Sequence, residues 1–306
     1  MPSTIDQDLG RRDFTVNAMA VEVASGAFGL IDRHGGRADL EAKRLTILHP
    51  ASFVEDPTRM FRAARYAARL GLRMDAWTRR CQAWALSLVP YPALSGVRIL
   101  AELGHVLREP RPELVLVRLG VDGVYRLLDP RYRFTKAARA AVLALPETLA
   151  WARANGVDVP AVELALVAVL AGQPSDVPAA ALARLALSGE PLARVSRALG
   201  AGPALMRAVE AAPRASDRAR LLRGRSALEH AWLALNGAGA HVTWFRDADA
   251  VRGHLRGDDV IALGVPPGRE VAAVLDALRD ARLDGGVMER GAEESFVRAW
   301  TNRKER

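Results

Sequence analysis

From Pro50 onward the chain consists of long alanine-, leucine- and arginine-rich segments with apolar residues at helical spacing, and this change of texture constrains the fold most. The spacing predicts helices near 51–71, 75–88, 94–107, 111–118, 134–153 and 161–171. Further helices are expected near 178–187, 190–199, 203–211, 215–222, 224–236, 246–252, 268–282 and 291–300. Ahead of Pro50, "DFTVNAMAVEVA" (13–24) reads as a strand closed by the turn "SGAFG", and "LID" (30–32) as a second short strand. "RHGG" then reads as a turn and "ADLEAKRL" (38–45) as a short helix. Two or three strands cannot make a stable sheet alone, so they either lean on the helical part or pair with strands outside this sequence. "GQPSDVP" (172–178) and "GAGAH" (237–241) are candidate joints. The expected class is mainly α: a small strand-bearing piece followed by an all-helical remainder.

The 306 residues suffice for two or more modest domains, with 50% hydrophobic and 25% charged residues in the ordinary globular range. The net charge is +8, and lysine contributes only Lys43, Lys136 and Lys304. Arginine's planar fork suits phosphates and base edges, so a nucleic-acid partner fits this balance. An arginine-, alanine- and glycine-rich composition is equally what a GC-rich genome produces. Cys81 is the only cysteine, and the six histidines show no metal-ligand spacing. The most apolar run, "AVELALVAVLA" (161–171), is too short to span a bilayer, is broken by Glu163 and reads as a buried helix. The N-terminal "MPSTIDQDLGRRD" has no apolar signal region, so a cytoplasmic, membrane-free protein is expected.

Two stretches carry chemistry. In "EDPTRMFRAAR" (55–65), Glu55 and Asp56 precede a proline that suits a first helical turn, and acids there are favoured by the helix dipole. That explains the acids but not Arg59, Arg62 and Arg65, which recur at helical spacing on a segment otherwise made of Met60, Phe61, Ala64 and Ala67. An acid that accepts and an arginine that donates one turn later can together match the edge of a nucleobase, and further arginines can hold phosphates. A structural ion-pair network is the alternative. In "RRDFTVNAMA" (11–20), Arg12 suits a phosphate and Asp13 a ribose hydroxyl, unless both simply guard a strand edge.

The order and spacing of "RRDFTVNAMA", "LIDRHGGRADLEAKRL" and "FVEDPTRMFRAARYAARLGL" strongly resemble motifs B, C and D of the class II tRNA nucleotidyltransferase / poly(A) polymerase family, the CCA-adding enzymes and their relatives. "LSGVRILAEL" (94–103) resembles the next motif, with Gly96 and Val97 in place of the usual residues before Arg98. "LRGDDVIALGVPPGREVAAVLDALRDARLDG" (255–285) resembles the family's tail, while residues 110–250 match only in helical character. The resemblance implies a partial nucleotidyltransferase α/β head at 1–48, a neck at 49–110, a helical body at 111–240 and a helical tail at 241–306. It implies nucleotide binding by Arg12, Asp13, Asn17, Glu55, Asp56, Arg59, Arg62 and Arg65. Asp56 and Arg59 would read the base of CTP or ATP, and Glu55 would orient Arg59. Arg98 and Glu102 would brace the neck as an i, i+4 pair, and Asp32, Gly35, Gly36 and Asp39 would form a hinge. The partner implied is the acceptor arm of tRNA, held through its phosphates by body and tail.

The family's reaction uses Mg²⁺ held by a D-x-D on a strand well before motif B. Asp6 and Asp8 spell D-x-D here, but with no strand or glycine-serine turn ahead of them they are not expected to be the catalytic pair. No catalytic or metal residue is therefore assigned, and residues 1–306 by themselves are not expected to transfer nucleotides. A non-catalytic RNA-binding helical module, a poly(A)-adding relative and a purely structural helical protein are the competing readings.

Overall fold

The computed structural model describes residues 4–24, 26–250 and 253–304. The chain divides into two compact units, one of Met1–Trp151 with Val159–Leu199, the other of Ala152–Asp158 with Gly200–Arg306. Both expected joints fall inside a unit, because the division runs within two helices.

The first unit opens with a short helix α1 (Ile5–Gly10), capped by Thr4, that has too few residues to show a period in the sequence. A 3₁₀ turn at Thr15–Asn17 follows, then strand β1 (Met19–Val21) paired antiparallel with β2 (Leu30–Asp32), Met19 opposite Asp32 and Val21 opposite Leu30. The strand expected over 13–24 is thus cut to three residues, and Ser25 of the expected turn lies outside the described residues. Local polar bonds explain the cut. The buried Asp13 carboxylate accepts from the Phe14 amide and from Asn17 Nδ2, and Thr15 Oγ1 donates to Asp39, curling the backbone before it can extend. Val21, Val23, Phe28 and Leu30 of this ribbon stay exposed.

Helix α2 (Gly36–Glu41) is set by the residues expected to form a hinge. Asp32 accepts from the Gly36 and Arg37 amides at 2.8 and 3.0 Å. Gly35 takes φ +75, and a Cβ on Gly36 would lie 2.2 Å from the Thr15 carbonyl oxygen. Asp39 accepts from Thr15 Oγ1 at 2.7 Å and Arg44 Nε at 2.9 Å. Burial opposes its ionisation, but these bonds and one from Thr46 hold its pKa below the ordinary value.

The helix expected over 51–71 is two helices, α3 (Ser52–Glu55) and α4 (Arg59–Leu70). Pro57 disfavours helical backbone in the residue before it, and Asp56 is extended at φ −139, ψ 94. The acids therefore sit at a junction between helices. Gly71 closes α4 in the left-handed conformation. Strands β3 (Arg44–Leu45) and β4 (Arg73–Met74) pair in parallel beside it. Asp75 caps α5 (Ala76–Ser87), and Ser95 caps α6 (Gly96–Leu107). Next come α7 (Pro112–Val121), α8 (Lys136–Ala154), α9 (Ala161–Val169) and α10 (Asp176–Arg184). A Cβ on Gly96 would lie 2.4 Å from the Leu185 backbone, so α6 meets the end of α10 without a side chain between. The acid interrupting the apolar run of α9 has a partner: Glu163 is buried and accepts from Arg194 Nε and Nη2 at 2.9 and 2.6 Å. Met60 and Phe61 of α4 are fully buried, as are Phe14, Leu45, Ile47 and Phe53 of the preceding segments.

Helix α11 (Gly189–Ala211) contains Pro203 where two helices were expected. It continues through the proline with the loss of one backbone hydrogen bond. The second unit holds α12 (Ala215–Leu222), α13 (Ala227–Leu235), α14 (Gly239–Ala250), α15 (Gly257–Ala262), α16 (Arg269–Leu283) and α17 (Arg290–Lys304). Helix α14 starts earlier than expected, and residues 251–252 of the predicted 246–252 helix lie outside the described residues. The last three helices enclose a core of Leu255, Val260, Val265, Val274, Leu278, Val287 and Val297. Buried Glu293 ties them together, accepting from the His254 and Leu255 amides and from Arg282 Nη1. Among the described residues no helix is long and apolar enough to cross a membrane. The architecture is mainly α, as the sequence predicts.

Candidate nucleotide-binding cleft

A cleft of about 580 Å³ opens in the first unit where the 3₁₀ turn, the α3–α4 junction, α4 and α6 meet. It gathers residues from three separate sequence motifs: Arg12, Asp13 and Asn17; Asp56, Arg59 and Arg62; and Arg98 and Glu102. Arg11, Thr58 and Tyr66 also line it. Five arginines stand against three carboxylates, so the cleft carries excess positive charge suited to a polyphosphate.

On the floor, Asp13 Oδ2 accepts from Arg62 Nε at 2.6 Å while Oδ1 holds Asn17 Nδ2 at 2.9 Å. Arg62 Nη2 donates to the Tyr66 hydroxyl at 3.1 Å, and its guanidinium lies 5.6 Å from the Tyr66 ring centre. Burial works against the Arg62 charge, but Asp13 outweighs it and holds the pKa above the ordinary value. Nη1 of Arg62 makes no hydrogen bond among the described residues. Phe14 backs this arrangement, its ring edge-on to Tyr66 at 5.8 Å.

At the junction, Asp56 Oδ1 accepts from the Thr58 amide (3.1 Å), Thr58 Oγ1 (2.6 Å) and Arg98 Nη2 (2.9 Å). Its Oδ2 has no hydrogen bond among the described residues. Arg59 Nη1 donates to Ser52 Oγ at 2.8 Å, and Nη2 to the Arg11 carbonyl at 3.4 Å. Glu55 is exposed, 4.0 Å from Arg59 and 3.4 Å from His49. The hydrogen bonds that hold Arg59 thus come from Ser52 and Arg11 rather than from Glu55. An open acceptor and a fixed donor consequently stand three residues apart at one mouth, the pattern that can match a base edge.

The remaining predicted residues are placed differently from one another. Arg12 and Arg11 both pair with Asp8, whose pKa they hold below the ordinary value, Arg12 foremost. Arg65 does not line the cleft. It donates to Glu109 Oε1 at 2.9 Å and lies 3.5 Å from Glu102, tying α4 to α6. Arg98 and Glu102 do not form the expected i, i+4 pair; each bridges instead to the 55–65 stretch, Arg98 to Asp56 and Glu102 to Arg65. Asp32, Gly35, Gly36 and Asp39 stand behind the 3₁₀ turn that presents Asp13 and Asn17. Thr58, Tyr66 and Arg11 line the cleft, and buried Ser52 holds Arg59 from behind, without having been assigned from the sequence. Thr58 had a signal, since Asp-Pro-Thr favours an Asp side chain bonding the backbone two residues on. Tyr66 had one too, four residues after Arg62 on the same helix face.

The D-x-D of Asp6 and Asp8 does not fit a Mg²⁺ site. No group of three or more His, Cys, Asp or Glu side chains converges among the described residues. Asp6 and Asp8 point to different sides of α1 and are engaged, Asp6 with Arg33 at 3.2 Å and Asp8 with two arginines.

The Poly A polymerase head domain model matches residues 1–46. The chain is 41% identical over 129 residues to the A-adding tRNA nucleotidyltransferase of Geobacter sulfurreducens, 42% of this chain but 15% of that relative. It therefore spans only a small part of such relatives. It is 34% identical over 302 residues to the CC-adding tRNA nucleotidyltransferase of Deinococcus radiodurans, 98% of this chain and 67% of the relative. The fold is similar to that of a CCA-adding enzyme in an apo form (TM-score 0.83) and with CTP (TM-score 0.80). Each of these is 26% identical, covering 97% of this chain and 72% of the other. Ordered motifs, a similar fold and a match along nearly the whole chain lead to one conclusion: the chain belongs to the tRNA nucleotidyltransferase and poly(A) polymerase family.

Proposed function

We propose that residues 1–306 form the nucleotide-selecting and RNA-holding part of an enzyme that adds C or A residues to the 3′ end of tRNA in the cytoplasm. The observation that carries this reading is the pairing of Asp56, with one carboxylate oxygen open, and Arg59, fixed by Ser52 and Arg11, at the mouth of an arginine-rich cleft. In this reading Asp56 accepts from the exocyclic amino group shared by cytosine and adenine, and Arg59 donates to the neighbouring ring acceptor. Arg12 and the open Nη1 of Arg62 meet the triphosphate, and Asp13 and Asn17 approach the ribose. Residues 1–48 serve as the head portion with its hinge, 49–110 as the neck, 111–240 as the helical body and 241–306 as the helical tail, body and tail each meeting phosphates of the acceptor arm.

Nucleotidyl transfer in this family calls on Mg²⁺, and the Asp6–Asp8 pair does not converge to hold it, so no chemical step is assigned to these residues. Two measurements test the reading. Calorimetric titration of residues 1–306 is expected to show CTP and ATP binding; no binding of either would sink it. Incubation with labelled CTP, Mg²⁺ and tRNA lacking its 3′-terminal CCA is expected to give no incorporation by residues 1–306 alone. Robust incorporation would overturn the view that the metal carboxylates lie elsewhere.

A further inference from the structure

Helix α5 presents a surface that the cleft does not use. Trp77, Trp84 and Leu88 are 36%, 48% and 45% exposed, and spacings of seven and eleven residues bring them back to one face. Arg80 lies between the two indoles on that face, exposed, and makes no hydrogen bond or ion pair among the described residues. The neighbouring face anchors the helix through the buried Thr78, Cys81, Gln82, Ala85 and Leu86, which leaves part of each indole to solvent. The helix packs beside α3, the element that leads into Asp56.

Two indoles partly exposed on one helix face, with an unpaired arginine between them, offer a surface for a flat apolar ligand, and charge decides its occupant. Helix α5 contains no acid; Asp75 ahead of it is committed to capping the Thr78 amide at 2.7 Å, and Asp122, whose carbonyl accepts from Gln82, pairs through its carboxylate with Arg118. A second copy of a chain with net charge +8 is repelled by such a face, whereas a polyanion with flat apolar rings is drawn to it. The indoles are separated by about 10.5 Å along the helix axis, about three base steps of a strand.

We propose that Trp77, Arg80 and Trp84 form a stacking platform for the unpaired bases of an RNA strand, with Arg80 on the intervening phosphate. The proposal rests on the reading of the chain as a tRNA-binding protein and names where the single-stranded portion lies. The test is the binding of fluorescently labelled tRNA lacking its 3′-terminal CCA, and of a short oligocytidylate, by polarisation against salt. Trp77→Ala and Trp84→Ala are each expected to weaken oligocytidylate binding about fivefold or more, with Trp84→Phe recovering most of the loss. Arg80→Gln is expected to lower the salt slope by about one. Inorganic polyphosphate, which has no bases to stack, is expected to bind the tryptophan variants as it binds the parent. Folding of each variant is checked by thermal unfolding. If the parent binds RNA and the tryptophan variants bind it equally well, the platform is refuted while the RNA-binding reading stands. A concentration-dependent dimer of the parent that Trp84→Ala disperses also overturns the platform. A parent that binds neither RNA overturns both.

Discussion

At Asp56 one carboxylate oxygen carries three hydrogen bonds and the other carries none, so the acceptor is held rigidly yet left open. Thr58 supplies two of the three bonds. Thr58→Val keeps the shape and removes the hydroxyl, and CTP affinity is expected to fall about fivefold, the worth of one ordinary net hydrogen bond of about 1 kcal/mol. Calorimetric titration measures this, and an unchanged unfolding midpoint separates the effect from misfolding. Arg62 answers to a different balance. It covers the buried Asp13, so Arg62→Ala leaves a desolvated carboxylate without its cation. Because Arg62 is itself 38% exposed, the expected loss is about 2 kcal/mol rather than that of a fully buried pair, read by urea unfolding. Residue types and spacings alone pointed to Asp13, Asp56, Arg59 and Arg62. They did not reveal that Arg65 turns to Glu109 or that Arg98 reaches Asp56. Such partners lie some forty residues apart in sequence, and only the packing of α4 on α6 brings them together.

Among the elements, the helical spacing after Pro50 was legible because buried faces impose a strict period, and most of these helices lie within a few residues of expectation. What escaped were breaks set by local chemistry: the 3₁₀ turn that Asp13 and Thr15 impose on an apparent strand, the interruption before Pro57, and the passage of α11 through Pro203. The joint of α2 with the 3₁₀ turn is tight enough to test. Gly36→Ala places a methyl against the Thr15 carbonyl, and a loss of about 2 kcal/mol is expected in urea unfolding, with weaker nucleotide binding as Asp13 shifts. The clamp of Arg65 and Arg69 on Glu109 offers a pH test. Glu109 is buried, and the Arg69 hydrogen bond first, then that of Arg65, lowers its pKa against the cost of burial. A depressed folded pKa contributes stability that is present above the unfolded value of about 4.5 and is lost as pH falls through the folded one. Unfolding free energy measured from pH 6 down to pH 3 is expected to fall across this window, and Glu109→Gln to flatten the fall.

For the molecule as a whole, features that are each ordinary alone meet in one place. The positive charge fits a GC-rich composition, and the acids at 55–56 fit a common helix start. Their convergence with Arg12, Asp13 and Asn17 in one cleft follows from neither composition nor helix capping. Base choice by Asp56 and Arg59, as proposed above, is checked by titrating residues 1–306 with CTP, ATP, GTP and UTP and repeating the series with Asp56→Asn. CTP and ATP are expected to bind about tenfold or more tighter than GTP and UTP, the range of a well-placed base-edge pair. Asp56→Asn is expected to collapse the discrimination while triphosphate affinity persists. Equal binding of all four nucleotides, or discrimination that survives Asp56→Asn, would rule out a base-reading role for this pair.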